Sequence, residues 1–247
     1  MKLATPQHLK EYKMSLRILT SLAAVAFAST AFAHTHHSYF NDAYVGAEVI
    51  QTNQNYKQGY GKNVFKKNTQ DYSLFAGFNF TKNFGVELGY DFQPKRTLHP
   101  TLVNGDLAPG NVAIQPGEFI YMESSIKSSN PYLGVFVDKT IHKFKLQAIL
   151  GLAVSRVKAY SAILADENGT FSQANYEASK RNYNKTKVVP MVKLAGTYML
   201  SHSFGVRATL NYRNMSSFKI KSDVTTSPAE IRLKDMLGVG LGLTYSI

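Results

Sequence analysis

The links between apolar segments after residue 40 alternate between long and short, and this rhythm constrains the fold more than any other feature. Long polar links fall at about 52–68, 94–127, 160–185 and 217–231. Short turns fall at 81–83, about 139–142 and 201–203. The segments between them carry apolar residues at every second position, which is typical of β-strands with one buried face. The rhythm therefore predicts an antiparallel up-and-down sheet with every long link at one end.

The alternation predicts eight strands, and an even number lets such a sheet close into a barrel without free edges. The strands are expected at 42–51, 69–80, 85–92, 130–137, 144–155, 187–198, 204–213 and 237–247. Within the sixth strand, Pro190 predicts a bulge or a strand end. The apolar faces include Leu88, Leu150, Val192, Leu210 and Leu241. In a membrane barrel these residues face lipid, whereas in the alternative, a soluble β-sandwich, they would face a core.

The N-terminus favours the membrane alternative, because it has the features of an export signal. A basic start at 14–17 precedes an apolar run at 18–27, and Ala31-Phe32-Ala33 forms an A-x-A cleavage site. The run is short for a membrane anchor helix. We therefore expect residues 1–33 to be an N-terminal extension and cleaved signal peptide, with either Met1 or Met14 as the start, and residues 34–247 to form the barrel. The chain contains no cysteine, which excludes disulfides and thiolate metal sites.

Aromatic residues at both ends of the apolar faces also fit a membrane barrel, in which two aromatic girdles flank an aliphatic band. Phe80, Phe144 and Phe204 lie near the short turns. Tyr90, Phe92 and Tyr212 lie toward the long links. We therefore predict an all-β, eight-stranded transmembrane barrel.

Three segments resemble the OmpA/OmpX-type outer-membrane β-barrel superfamily, namely 84–90, 130–135 and 238–245. The resemblance covers the expected mature chain and implies a barrel domain in the outer membrane of a Gram-negative bacterium. The last strand also resembles the signal read by the barrel-assembly machinery, which is therefore an expected partner. That signal usually ends in Phe, whereas this chain has Tyr245 and ends in Ile247.

Charged residues on the polar strand faces form two groups that would face each other across the lumen. The acidic group includes Glu48, Glu87 and Asp91, and the basic group includes Lys145, Lys193, Arg207 and Arg213. Side chains about fill the interior of an eight-stranded barrel, and buried charges there are costly unless paired. The pattern predicts a cross-lumen ion-pair network that blocks the lumen. The alternative is a small gated channel.

The formal net charge of +12 at pH 7 would suggest nucleic acid as the partner of a basic soluble domain. An exported chain does not meet nucleic acid, so we expect lipopolysaccharide or host surface polyanions instead. Candidate binding residues in the long links are Lys95, Arg96, Lys180, Arg181 and Lys185. The alternative is that these cations only keep the exposed loops soluble.

No catalytic residue, cofactor site or metal site is predicted. Some small barrels are lipid A deacylases with a His-x-Ser pair, but the nearest segment here, 210–214, has Asn and Arg at the required positions. His34, His36 and His37 could bind a metal weakly, although a solvated tail is the simpler interpretation. The sequence thus favours a structural or surface-interaction barrel that serves envelope integrity or contact with host molecules or lipopolysaccharide. A porin-like channel for ions or solutes is the alternative.

Overall fold

The alternating segments form long antiparallel strands that are paired into a closed ring. The computed structural model describes residues 43–58, 68–81, 83–102, 107–108, 112–113, 120–165, 176–177, 179–215, 218–221 and 230–247. The strands are β1 (Ala43–Gln58), β2 (Asn68–Thr81), β3 (Phe84–Leu98), β4 (Thr101–Leu102), β5 (Leu107–Ala108), β6 (Val112–Ala113), β7 (Ile120–Ile141), β8 (Phe144–Ala165), β9 (Arg181–Met199), β10 (Phe204–Arg213), β11 (Phe218–Lys221) and β12 (Glu230–Ser246). No helix within these residues is long and apolar enough to cross a membrane.

Eight strands form the ring in the order β1-β2-β3-β7-β8-β9-β10-β12, and β12 pairs with β1 to close it. The closing register runs from Tyr44 opposite Ser246 to Gln58 opposite Ile231. β11 continues the path of β10, because both pair with β12. The small strands β4, β5 and β6 lie in the long connection between β3 and β7. The predicted eight-stranded up-and-down barrel is confirmed.

The short connections lie at one end of the barrel, together with the first residue of β1 and the last residue of β12. We call this end the turn end. Ile141 and Phe144 face each other across the two-residue turn between β7 and β8, where His142 adopts a φ of 54°. That left-handed conformation is tolerated by histidine more readily than by bulkier residues. At the same end, the Ile247 amide donates to the Ala43 carbonyl at 2.8 Å. The long connections lie at the opposite end, called the loop end.

Large apolar side chains cover the outer face of the ring. Leu88, Leu150, Val192, Leu210 and Leu241 are all exposed there, with Leu241 at 64%. Aromatic pairs border this band near the turn end, with ring centroids 5.1 Å apart for Phe144 and Tyr198 and 5.0 Å apart for Phe204 and Tyr245. Toward the loop end, Tyr72 stacks on Phe92. Two aromatic borders around an aliphatic band match the hydrocarbon layer of a membrane.

Most strands extend further toward the loop end than the sequence pattern predicts. The fourth predicted strand, 130–137, is part of β7, which has 22 residues, and β8 likewise continues to Ala165. The predicted links at 94–127 and 160–185 are therefore partly strand. The extensions were missed because the apolar face switches sides there: Arg156 and Lys158 face outward and are exposed, whereas Val157 and Ala159 are buried inside.

Pro190 does not interrupt β9, since the β8–β9 register continues through the pair Leu152–Pro190 without a bulge. The predicted bulge or strand end is therefore wrong for the strand itself. Pairing with β10, however, ends next to it at Arg213 opposite Met191. Proline has no amide hydrogen to donate to a strand ladder. The hydrogen bond that is missing at Pro190 is therefore one that would join β9 to β10.

The buried interior at the loop end is apolar, and we call this region the upper apolar layer. It comprises Ile126, Val157, Ala159, Tyr183, Val189, Met191, Met215, Phe218, Ile220, Ile231, Leu233 and Met236. Between this layer and the turn end, charged and polar side chains share the interior with a small buried cluster of Tyr44, Phe75, Phe136 and Ile149. The interior at membrane level is therefore mainly polar, and the interior above it is mainly apolar.

Candidate functional site

The buried charges in the middle of the lumen meet at Glu87 of β3. Its carboxylate accepts hydrogen bonds from the Tyr44 hydroxyl at 2.7 Å and the Tyr132 hydroxyl at 2.8 Å. Arg207 of β10 donates to the same carboxylate at 2.7 Å. Lys193 of β9 lies 3.5 Å away. Glu87 thus joins strands from opposite sides of the ring.

Lys193 links Glu87 to a second carboxylate. Its ammonium lies 3.0 Å from Glu48 Oε1 and donates to the Tyr132 hydroxyl at 2.8 Å. The other oxygen of Glu48 accepts from Thr209 at 2.9 Å. The side chains of Glu48, Glu87, Lys193 and Arg207 are fully buried. We call these four residues the central charge cluster.

Glycines on neighbouring strands make room for the tyrosines of this region. A Cβ atom on Gly77 would lie 2.0 Å from the Tyr44 ring, and one on Gly89 would lie 2.3 Å from the Tyr132 ring. Both rings therefore lie against bare backbone, and their hydroxyls reach Glu87. Arg207 in turn lies 4.3 Å above the Phe75 ring, where aromatic and cation attract each other.

The remaining predicted lumen charges form two separate pairs. Arg213 contacts Asp91 on the loop side of the central charge cluster. Lys145 instead pairs with Asp138 at 2.9 Å, and Asp138 also accepts from Asn79 at 3.0 Å near the turn end. Three residues of these interactions, Asp138, Tyr44 and Tyr132, were not among the predicted site residues. All three lie at lumen-facing positions of their strands, and Tyr44 and Tyr132 lie beside glycines of a neighbouring strand. This pattern could have identified them from the sequence.

The predicted loop cations do not form one cluster. Lys95 lies 5.2 Å above the Tyr160 ring, and Lys180 lies 6.0 Å from the Tyr176 ring and 3.9 Å from Glu177. Arg96 and Arg181 are half-buried at the loop ends of β3 and β9. Lys185 donates to the Lys219 carbonyl at 2.6 Å. The histidines at 34, 36 and 37 lie outside the described residues.

Tyr160 and Tyr176, the two tyrosines beside Lys95 and Lys180, share one carboxylate, Glu123 of β7. Glu123 accepts a hydrogen bond from the Tyr160 hydroxyl and another from Tyr176 at 3.4 Å. Burial, together with the hydrogen bond and charge of Glu123, raises the pKa of Tyr160 well above its ordinary value. Burial and the Glu123 charge also raise the pKa of Tyr176. Both tyrosines therefore remain neutral donors well above neutral pH.

A group of cations that the sequence analysis missed lies on the outer wall just above the lipid-facing band. Lys127 of β7 is directly opposite Lys158 of β8, and Arg156 follows two positions along the same outer face. Val154, the next outward residue toward the turn end, is exposed and apolar. We call Lys127, Arg156 and Lys158 the basic rim patch. Like charges in directly opposed positions repel, so an anion bound between them would stabilise this part of the sheet.

The chain is similar to several solved structures, of which OprG supports the fold. OprG of Pseudomonas aeruginosa has a TM-score of 0.52 at 12% identity, over 85% of this chain and 97% of OprG. Ail of Yersinia pestis, solved with the heparin analogue sucrose octasulfate, has a TM-score of 0.45 at 12% identity, over 84% and 99%. Neisserial surface protein A has a TM-score of 0.41 at 11% identity, over 82% and 96%.

No curated protein sequence matches the chain. The family model of the OmpA-like transmembrane domain, in contrast, matches residues 38–245. This match spans the whole ring, from β1 to the penultimate residue of β12. The chain therefore belongs to the OmpA-like transmembrane domain family and is an outer-membrane β-barrel.

Proposed function

We propose that this barrel is a non-enzymatic surface protein whose loop end binds the phosphates of lipopolysaccharide, and through its loops contributes to envelope integrity or host contact. The basic rim patch carries the proposal. Two of its cations, Arg156 and Lys158, follow the apolar outer residues Leu152 and Val154 along β8, and Lys127 of β7 is opposite Lys158. That position corresponds to the headgroup level of the leaflet at the loop end, since long loops of such barrels are extracellular. Lipopolysaccharide has its phosphates at that level.

Two of the predicted loop cations, Lys95 and Lys180, extend this basic surface beside the rings of Tyr160 and Tyr176. The other three, Arg96, Arg181 and Lys185, are opposite buried residues in the ladder and therefore lie on the inner face of the wall. Tyrosine and arginine are favoured at protein interfaces, and Tyr160 and Tyr176 lie beside Lys95 and Lys180. This arrangement suits a polyanionic partner, either lipopolysaccharide or a host surface molecule.

Charge-neutral rim variants test the proposal. The variant K127Q/R156Q/K158Q should retain phosphorylated lipid A about tenfold less than wild type, because each cation near a charged membrane surface adds to anion binding. Retention would be measured by native mass spectrometry of protein purified in detergent. Lys143→Gln at the turn end is the matched control and should change nothing. Equal retention of phosphorylated and dephosphorylated lipid A by wild type would contradict the proposal.

A channel is the second candidate, and the packing of the lumen argues against it. The central charge cluster and the upper apolar layer both fill the interior with buried side chains. A water-filled path would have to displace two layers of different chemistry. We therefore favour a blocked lumen.

We likewise propose that the protein has no enzyme activity. Among the described residues, no group of three or more His, Asp or Glu side chains could hold a metal ion. In the segment at 210–214, Asn211 and Arg213 are buried in the lumen, and neither is a nucleophile or a base. We also propose that the barrel-assembly machinery reads β12, whose outward residues Val239, Leu241, Leu243 and Tyr245 form an exposed apolar stripe.

A further inference from the structure

A groove of about 630 Å³ crosses the outer face of β7, β8, β9 and β10 close to the turn end. Ala148, Gly196 and Ala208 form its floor, and larger residues such as Leu146 and Leu194 form its walls. These residues lie side by side in the ladder, because Gly196 is opposite both Leu146 and Ala208. The groove is therefore a gap between large apolar side chains on this part of the outer surface.

Packing of the wall does not require the glycine on the groove floor. A Cβ atom on Gly196 would meet only Leu146 Cδ2, at the ordinary contact distance of 3.6 Å. At Gly77 and Gly89, in contrast, the added atom would overlap a tyrosine ring. Gly196 thus leaves open a space that a Cβ atom can enter without disturbing its neighbours.

A cation lies at the mouth of this groove. Lys139 is exposed on the outer face of β7 and is opposite Leu146, the neighbour of Gly196 in the ladder. The next rung toward the turn end carries the aromatic pair Phe144 and Tyr198, and Lys143 lies in the adjoining turn. Aromatic residues of this kind lie at the membrane interface, and a lysine one rung away can extend its ammonium to the headgroups.

We propose that the groove binds one acyl chain of an anionic phospholipid in the periplasmic leaflet, with the lipid phosphate paired to Lys139. The apolar floor and walls suit the chain, and the positive mouth suits a negatively charged headgroup. A second copy of the protein fits less well, because a two-fold contact would set groove against groove and Lys139 near its own copy. The proposal is independent of lipopolysaccharide binding, which concerns the opposite leaflet.

Native mass spectrometry of the full-length protein purified in detergent, with equimolar phosphatidylglycerol and phosphatidylethanolamine, tests the proposal. Wild type should retain phosphatidylglycerol preferentially. Gly196→Leu should lose this adduct by filling the groove, and Lys139→Gln should lower it about fivefold by removing one surface cation. The matched controls are Ala76→Leu, an outward substitution on β2, and Lys234→Gln at the loop end, and both should bind as wild type does.

Three results would overturn the proposal: equal retention of the two lipids by wild type, unchanged phosphatidylglycerol binding in both groove variants, or a dimer that Gly196→Leu abolishes. Heat-modifiable mobility on gels would report folding of each variant. If Gly196→Leu does not fold, Lys139→Gln decides the outcome, because an exposed lysine is not needed for the ring.

Discussion

Arg207 of β10 donates to Glu87 of β3 across the lumen at 2.7 Å, although 120 residues separate them in the chain. The same carboxylate accepts from two tyrosines and lies 3.5 Å from Lys193. The negative charge of Glu87 is therefore shared between two buried cations, Arg207 and Lys193. A substitution of Glu87 should therefore change the electrostatic interactions of the whole central charge cluster.

The first prediction concerns Glu87→Gln, which removes the negative charge and leaves Arg207 and Lys193 buried with Glu48 as their remaining acidic partner in the cluster. Removing one partner of a buried ion pair costs about 3–5 kcal/mol. We expect a loss of this size in the free energy of unfolding, measured by urea titration in lipid vesicles. Glu177→Gln is the control, because the Glu177 side chain is exposed and its carboxylate lies 3.9 Å from the Lys180 ammonium. Equal effects of the two substitutions would contradict the cluster's importance.

The second prediction tests the lipid-facing band. Leu150 is 63% exposed halfway along the outward residues of β8, so Leu150→Arg should cost about 2–4 kcal/mol, as expected for Arg near the bilayer midplane. Folding into vesicles would be followed by urea titration. Gln70→Arg, on the outer face of β2 just beyond Tyr72 of the upper aromatic border, should cost almost nothing. A penalty at position 70 as large as that at 150 would argue against this membrane placement.

The sequence predicted the part of the barrel within the membrane well, because lipid imposes one simple pattern there. The predicted strand at 204–213 has the same bounds as β10. Beyond the bilayer, water contacts the outer face and the interior becomes apolar, so the alternation continues with its sides exchanged. In β9, Val188 faces outward whereas Val189 is buried. Apolar residues therefore occupy both faces of the strand at this point, and the alternation can no longer be recognised in the sequence.

Pairing inside the lumen could be predicted only in outline. Alternation assigns Lys145 and Lys193 to the same side of the wall, yet Lys193 reaches Glu48 while Lys145 contacts Asp138. The difference depends on how far each side chain lies from the turn end and on the stagger of the closed ring. Neither quantity can be derived from the residues of one strand.

The third prediction concerns pH at the loop end, outside the membrane. Because the folded state raises the pKa of Tyr160, the neutral hydroxyl is favoured. Its stabilising contribution is complete below the ordinary tyrosine pKa of about 10 and is lost as pH rises through the higher folded value. In a difference titration at 295 nm between wild type and Tyr160→Phe, the missing tyrosine should ionise above pH 10.

Glu123→Gln should bring this ionisation back toward the ordinary range, since it removes the carboxylate that accepts the Tyr160 hydrogen bond. Glu177→Gln serves as control and should leave it unchanged. A difference signal with its midpoint at the ordinary tyrosine pKa would show that Glu123 and burial have no effect on Tyr160.

The fourth prediction concerns export. We propose that the A-x-A motif at 31–33 directs cleavage after Ala33, so N-terminal sequencing of the membrane form should begin at His34. Ala33→Tyr should leave the signal uncleaved, because the cleavage site requires small residues. A membrane form that retains Met14 would contradict the proposed processing. These residues lie outside the part of the chain that the structure describes.

The last prediction is that the purified protein shows no steady conductance in planar bilayers. We expect the central charge cluster to block the lumen at membrane level and the upper apolar layer, with Met191 and Phe218 almost fully buried, to block it above. Glu87→Gln should therefore remain closed even though it weakens the lower layer, because ions would still meet the apolar one. Met191→Ala/Phe218→Ala should also remain closed, since the charged layer persists. Stable conductance steps from wild type would instead favour the channel.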